Sequence, residues 1–464
     1  MKELSRALNY DASYLSRIRS GKRSPSDPNM FAAHVSRVLV DNAKDADLDT
    51  IRNLIQAGPS DTLENQLTRW LLQKDHQQME EITSFLSKLD EFNLDEFIRL
   101  FDFARDASIP SPNIISSHKF GQPALRQAEL AFLSATAAGN QSGSIFMCNE
   151  MPIIDMAGDS EYIKTWMTLI AACLKKGKHL NIIHDINRPF SEMMIGLEGW
   201  IPIYMTGEIS PYYLPDEGSS IYRHCLYVSD SAALLAECIR GKAEHGVTWI
   251  TGKKEDIEYA ATRAQDILSA AKPLMKIFRA ERAAEHQELW NTELETPGKR
   301  TIISHTPPIW SLTSDLLLDI LKQQNVPQED AEIIEQFRKQ ELTRLHNTLR
   351  YGPIDFTLPS ITPKEFEAHT PILFLAQLFR NYSIAYTWDT YQKHIRLTRE
   401  FAETTPGFSI SFDERFAFRN TSIYTRNERF AAVFKCGSPE ISFIMTHPKI
   451  VKAIRNFSAP LSDN

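Results

Sequence analysis

The densest run of chemistry-bearing side chains lies between positions 182 and 213. An apolar strand ending at Ile182-Ile183 leads into His184-Asp185, and Asn187-Arg188-Pro189 follows. Pro189 suits the first position of a helix, where a missing N–H costs nothing. In open α/β sheets, ligands sit at such strand-to-helix turns, beyond the carboxyl ends of the strands. The helix N-terminus favours an anion, and the Arg188 guanidinium adds a fork of donors. His184, Asp185, Arg188, Glu192, Trp200, Tyr204 and Tyr212 are therefore candidate walls of a sensor pocket for a small anionic effector. The same residues also suit a buried polar network that fixes the loop, and the sequence leaves both readings open.

Catalytic patterns are missing from the sequence. There is no G-x-S-x-G and no G-x-G-x-x-G. Gly241-Lys-Ala-Glu-His-Gly246 has the glycine spacing of a phosphate-binding loop, but Val247-Thr248 follows where a lysine is required. His179 and His184 are five apart on an expected strand, so they point to opposite faces and share no metal. Asp155, Asp159 and Glu161 read as the solvated start of a helix. The five cysteines, Cys148, Cys173, Cys225, Cys238 and Cys436, are odd in number and lack C-x-x-C spacing, which fits free thiols in a reducing cytosol. No catalytic residue, metal or cofactor is expected. An enzyme of unrecognised class carrying a DNA-binding head is the alternative reading.

The chain carries a net charge of −8, so any nucleic-acid contact must be local. Residues 2–23 supply such a patch: Lys2, Arg6, Arg17, Arg19, Lys22 and Arg23 stand against Glu3 and Asp11 alone. Leu4, Ala7 and Leu8 give a short helix one apolar face, and Asn9 tolerates the left-handed conformation that ends it. Asp11 suits the N-cap of a second helix. Leu15 and Ile18 would face the first helix, and Gly21 supplies the C-cap. Two short helices, a tight turn and a basic second helix are what a major groove accepts.

This segment resembles the Cro/CI-type, or XRE-type, helix-turn-helix family at Leu4, Ala7, Leu8, Leu15, Ser16, Ile18, Gly21, Lys22 and Pro25. Asn9 and Arg19 are mild departures. By position, the resemblance implies that Ala12, Ser13, Ser16 and Arg17 face base edges, while Tyr14, Ser20, Lys22 and Arg23 neighbour phosphates. Ala12 and Ser13 are short, which leaves much of the direct readout to Arg17. The family's domain has a helix before Glu3. Either the natural chain starts upstream, or the head lacks a packing partner. Residues 80–280, with phrases such as Leu197-Glu-Gly-Trp-Ile-Pro-Ile-Tyr-Met-Thr-Gly207, resemble long-effector regulators of the same type.

The elements that must position these residues follow from periodicity. The expected fold class is multidomain: a small all-α helix-turn-helix head over 1–43, a helical linker and dimerisation region over 44–112, and an α/β effector region in two halves, 113–295 and 296–464. Apolar residues at helical spacing (Leu63, Leu67, Trp70, then Ile82, Phe85, Leu86, Leu89) mark the linker, and Ile109-Pro-Ser-Pro112 closes it. Strands are expected at 144–148, 179–184, 200–205 and 222–228. Helices are expected at 162–174, 231–239 and 254–277, and a hinge at 295–308. Helices at 310–324 and 328–349, a Pro-rich loop at 353–363 and a helix at 391–401 follow. Strands at 408–412, 422–425, 430–434 and 441–445 and a helix at 448–457 end the chain.

The order at 144–186 and at 408–457 resembles the two halves of a phospholipase D-type fold. That superfamily needs His and Lys two apart in each half. His224-Cys-Leu226 lacks the Lys, and Asn420-Thr-Ser-Ile-Tyr-Thr-Arg-Asn427 has neither, so the resemblance implies a fold without its phosphohistidine route. The most apolar helical run, Trp166 to Leu174, is about half a bilayer span. The expected protein is a cytoplasmic homodimer that binds double-stranded DNA and touches no membrane.

Overall fold

The computed structural model describes residues 27–43, 62–92, 114–139, 142–151, 160–186, 190–215, 221–375, 377–379, 383–413, 418–436 and 440–455, with isolated positions among the first 52. The chain falls into two compact units. The smaller holds residues 1–84 and 448–458, the larger 85–447 and 459–464.

In the smaller unit, Ser5, Leu8, Tyr14 and Leu15 are helical. Asp11 Oδ1 accepts the Tyr14 N–H at 3.2 Å, and the Asp11 carbonyl accepts the Leu15 N–H at 3.1 Å. That is the capping geometry its residue type favours. Leu8 and Leu15 are buried. The Tyr10 ring lies 5.3 Å from Tyr14 and 5.6 Å from Phe31. Helix α1, Pro28–Asn42, opens with Asp27 accepting the Met30 N–H at 2.9 Å and Pro28 in the first turn. Ala12, Ser13, Ser16, Arg17, Ser20, Lys22 and Arg23 lie outside the described residues, and most of the expected helix-turn-helix lies there with them. Helix α2, Leu63–Glu91, begins in this unit and ends in the larger one.

Among the described residues the larger unit holds two mixed sheets. The first is built from β1 (Ser117–Phe120), α3 (Gln122–Ala138), β2 (Gly143–Asn149), α4 (Ser160–Lys175), β3 (Lys178–Ile183), α5 (Phe190–Tyr204), β4 (Ile209–Tyr213), β5 (Tyr222–Val228), β6 (Ala233–Ile239), β7 (Lys242–Thr251), α6 (Lys254–Ala270) and the short β8 (Lys272–Pro273). Its order is β1-β7-β6-β5-β2-β3-β4-β8. The second is built from β9 (Met275–Phe278), α7 (Ala283–Leu294), β10 (Arg300–Ile303), α8 (Ser314–Gln323), α9 (Gln328–Thr348), β11 (Ile354–Pro359), α10 (Pro363–Ala368), α11 (Trp388–Thr404), β12 (Phe408–Asp413), β13 (Thr421–Arg426), β14 (Phe430–Lys435) and β15 (Ile441–Met445). Its order is β9-β15-β14-β13-β10-β11-β12.

Apart from the short β8 that ends the first sheet, the two orders are the same. In each half three strands run parallel, β2-β3-β4 and β10-β11-β12. In each half a three-stranded antiparallel meander returns beside the first of them, and the half's opening strand caps the meander's far edge. The sequence has no readable repeat, yet the chain has the topology of an internal duplication. Two α/β layers, each with helices over apolar strand faces, satisfy the need to bury both sides of parallel strands. A smaller α-helix, α12 (Pro448–Arg455), follows β15 and belongs to the smaller unit.

Several elements differ from the periodicity reading, for physical reasons. The helix expected at 231–239 is instead β6, Ala233–Ile239, because β5 and β7 pair on both sides of it and override intrinsic propensity. Trp200 to Met205 is the last turns of α5, not a strand. Ile201, Ile203, Tyr204 and Met205 are all buried, and an apolar run buried all round has no period to read. The Pro-rich stretch at 353–363 holds β11, with Pro353 and Pro359 at its two ends, where a missing donor is tolerated. The helix expected to reach 277 stops at Ala270, since Pro273 cannot continue it, and β8 and β9 follow. The expected hinge at 295–308 contains β10. There Arg300, fully buried, donates to the carbonyls of Gly298, Glu293, Leu294 and Thr296 and to Tyr424 Oη. Gly177 does end α4, at φ +78. The Gly241 to Gly246 spacing belongs to the β6–β7 turn and the start of β7.

Candidate functional site

A cavity of about 270 Å³ opens beside the carboxyl ends of β2 and β3, under α4 and α5. Its body is apolar. Trp166 of α4 meets Trp200 of α5 edge to face at 5.3 Å, and Met147, Met167, Met193 and Leu197 complete the wall. Four-residue spacing places Tyr162 and Trp166 on the same face of α4. The strand end brings His184 and Asp185 to the rim.

The polar rim is held from behind. Tyr204 Oη and His184 Nε2 share a hydrogen bond of 2.8 Å, and burial pushes the Tyr204 phenol well up, so it stays protonated. The His184 ring also sits edge-on to Trp200 at 6.1 Å. Arg223 Nη1 donates to Asp185 Oδ2 at 3.0 Å, which neutralises that carboxylate in place.

A second polar group reaches the cavity from α3. Glu129, 1% exposed, interrupts the apolar face of that helix. Tyr227 Oη donates to it at 2.8 Å, Asn149 Nδ2 at 3.3 Å, and Tyr162 Oη donates to its other oxygen. Asn149 Nδ2 also donates to Tyr227 Oη at 2.8 Å. Burial raises the Glu129 carboxyl above the usual range, against the lowering effect of the Tyr162 and Tyr227 hydrogen bonds. Tyr162, Tyr227 and Asn149 line the cavity, so this carboxyl lies one hydrogen bond behind its surface.

The structure brings His184, Asp185 and Trp200 together in the wall and puts Tyr204 behind His184. Tyr212 is elsewhere: it packs on the core of Phe146, Cys148, Ile183 and Leu226 that α6 covers. Its orientation follows from strand alternation, which sends successive side chains of β4 to opposite faces. Arg188 lies outside the described residues, as does the Glu192 side chain. The expected anion contact at Arg188 lies there too. Sequence reasoning missed Glu129, Asn149, Tyr162, Trp166 and Tyr227. The one local signal was a lone carboxylate in Ala128-Glu-Leu-Ala-Phe132; the rest converge from distant elements.

The wall itself is a weak helix. Gly196 and Gly199 of α5 line the cavity, and Pro202 sits inside the helix. Each glycine costs helix stability of about 1 kcal/mol relative to alanine. Pro202 removes the donor that would serve the Glu198 carbonyl. Glu198 in turn forms an ion pair with Lys88, in the last turns of α2. The wall helix is thus tied by an ion pair to a long helix, while its glycines and proline lower its own helical stability.

Among the described residues no nucleophile–base pair faces the cavity, and no group of three His, Cys, Asp or Glu could hold a metal ion. The five cysteines are buried. At the start of β13, where the phospholipase D resemblance would need its histidine, the Asn420 N–H donates at 2.8 Å to Asp90 Oδ1. Among the described residues no helix is long and apolar enough to cross a membrane.

No family model matches the chain, and no curated protein does. Solved structures with some likeness include an archaeal chromatin protein, TrmBL2, which binds DNA: 10% identity, 48% of this chain and 81% of that one, TM-score 0.26. A polyphosphate kinase from Porphyromonas gingivalis gives 9% identity over 70% of this chain and 47% of that one, TM-score 0.24. Yeast tyrosyl-DNA phosphodiesterase gives 6% identity over 72% and 88%, TM-score 0.17. Likeness at these levels identifies no family.

Proposed function

We propose that the chain is a sequence-specific DNA-binding transcription regulator whose first α/β half senses a small, largely apolar molecule. One observation carries the sensor reading: an aromatic cavity at the strand ends whose rim groups, His184 and Asp185, are already engaged by Tyr204 and Arg223. The wall helix α5 gives ligand binding a way to matter, since a ligand shifts a conformation only through differential affinity. The DNA-reading part rests on the basic pattern of residues 2–23. A single short recognition helix reads few base pairs, so the proposed regulator acts as a homodimer on two half-sites.

Selection of bound fragments from a random DNA pool tests this first. With a site in hand, Arg17→Ala relaxes sequence preference and costs about 1–3 kcal/mol on that site. Lys22→Ala weakens all DNA alike and flattens the salt dependence. Binding measured across salt and across mismatched sites decides. A Lys22→Ala change in base preference, with Arg17→Ala neutral, overturns the reading, as does a pool that yields no enriched sequence.

A further inference from the structure

The duplicated topology invites a search of the second half for a cavity of its own, and there is one. It measures about 100 Å³ and lies between β10, β13 and α9, the counterparts of the first half's β2, β5 and α4. Two separate apolar cores meet there. One is built around Trp310, 6.0 Å from Phe356 and 5.0 Å from Phe408. The other is built around Trp290, 4.8 Å from Tyr424 and 5.2 Å from Phe434. Ile302 packs on both, and the space between the two clusters is left unfilled. A well-packed interior seldom leaves voids larger than a water molecule.

We propose that this cavity is a second ligand site, specific for a neutral, single-ring aromatic molecule bearing one hydrogen-bonding group. Size allows at most one ring: an apolar cavity of roughly 150 Å³ binds benzene, and this one is smaller, at about 100 Å³. The walls set the chemistry. Aromatic rings line the cavity, and ring edges and faces favour an aromatic guest. The charged groups in the wall are already engaged: Glu341 pairs with Arg344, and the Arg300 guanidinium donates to four carbonyls and Tyr424 Oη, so a neutral guest is the one that disturbs neither arrangement. The hydroxyls of Ser304 and Ser422 hydrogen-bond each other at 3.0 Å. Gln377 is different. It lines the cavity, it is half-buried, and its amide makes no hydrogen bond among the described residues. That amide is the group assigned to the guest's polar substituent. The assignment does not depend on DNA binding or on the first cavity's ligand.

Phenol is the probe, titrated calorimetrically into the full chain, with toluene as its apolar partner. Met193→Phe fills the first cavity and isolates the second. In that background phenol still binds, and adding Leu345→Phe lowers its affinity at least about tenfold. Gln377→Leu, a change on a half-buried side chain with no partner to lose, weakens phenol severalfold and leaves toluene unchanged. Because this variant disturbs no packing, it keeps the test valid if Leu345→Phe fails to fold. Loss of all phenol binding with Met193→Phe alone overturns the proposal. So does full phenol affinity in both Leu345→Phe and Gln377→Leu.

Discussion

Glu440 stands just before β15 with 9% of its surface exposed, and neither carboxylate oxygen has a hydrogen-bond partner among the described residues. Burial pushes its carboxyl up from 4.5 to about 8. Between those values the native chain keeps the proton and the unfolded chain releases it. The unfolded state then binds fewer protons, so stability falls as pH rises. For a raised pKa, the contribution is fully present below the unfolded value near 4.5 and is gone once pH has risen through about 8. At about 1.4 kcal/mol per pH unit, the whole window is worth about 3–5 kcal/mol. Glu440→Gln keeps the shape and removes the titration. Urea unfolding at about pH 5, 6, 7 and 8 should show parent and variant similar at the acid end, with the parent losing about 1.4 kcal/mol per unit relative to the variant above it. Parallel pH profiles for the two proteins would refute the reasoning, because they would mean that the native carboxylate is already ionised and hydrated.

Two other substitutions probe the sensor half and its attachment. An added Cβ at Gly199 meets no atom within 4 Å. Gly199→Ala should therefore stabilise α5 by about 1 kcal/mol. The thermal midpoint rises, and the shift produced by a cavity ligand shrinks, because the wall is now costlier to move; a lowered midpoint counts against the open-space reading. Asp90, in the last turn of α2, accepts the N–H groups of Arg419 at 3.0 Å and Asn420 at 2.8 Å, while its carbonyl accepts Lys435 Nζ at 2.7 Å. Asp90→Ala removes two hydrogen bonds from part-buried N–H groups, at about 1 kcal/mol each. Chemical denaturation reads that loss, and a change under about 0.5 kcal/mol would place Asp90 among ordinary surface residues.

How far the sequence could be read depended on where each signal lived. Local signals were legible. Trp166 to Leu174 is apolar at helical spacing and ends in Lys-Lys-Gly, so α4 and its glycine cap could be placed; His179 to Ile183 alternates polar and apolar residues before ending in two isoleucines, so β3 could be placed too. The antiparallel strands β13, β14 and β15 alternate or run apolar between turns, and their ranges were readable. Signals set by neighbours were not. Nothing local tells Ser231 to Ile239 that two strands will flank it. Nothing local shows that Arg300 will sit at the core, satisfied by four carbonyls that a turn delivers. At the site, His184 and Asp185 were legible because a polar pair ends an apolar strand. Glu129 and Tyr227 were not, since 98 positions separate the two ends of one hydrogen bond.

The two halves repeat that hydrogen bond and then use it differently. In each, a tyrosine of the first meander strand donates to a buried glutamate on the helix that precedes the central strand: Tyr227 to Glu129 at 2.8 Å, and Tyr424 to Glu293 at 3.2 Å. In the second half the charge is met by cations. Arg426 holds Glu293 through two bonds of 2.5 and 2.9 Å, and Arg300 donates to the Tyr424 hydroxyl at 2.9 Å. Losing one partner of such a pair leaves an uncompensated buried charge, so the arrangement locks the helix to the sheet. In the first half phenols and an amide donate to the carboxyl instead, burial raises it above the usual carboxylate range, and all three of those partners line the cavity. A carboxyl held by phenols and an amide is cheaper to rearrange than one locked in a two-bond ion pair. The same topological bond is thus a fixed strut in one half and an adjustable one in the other, and the adjustable one lies against the cavity proposed to sense the ligand.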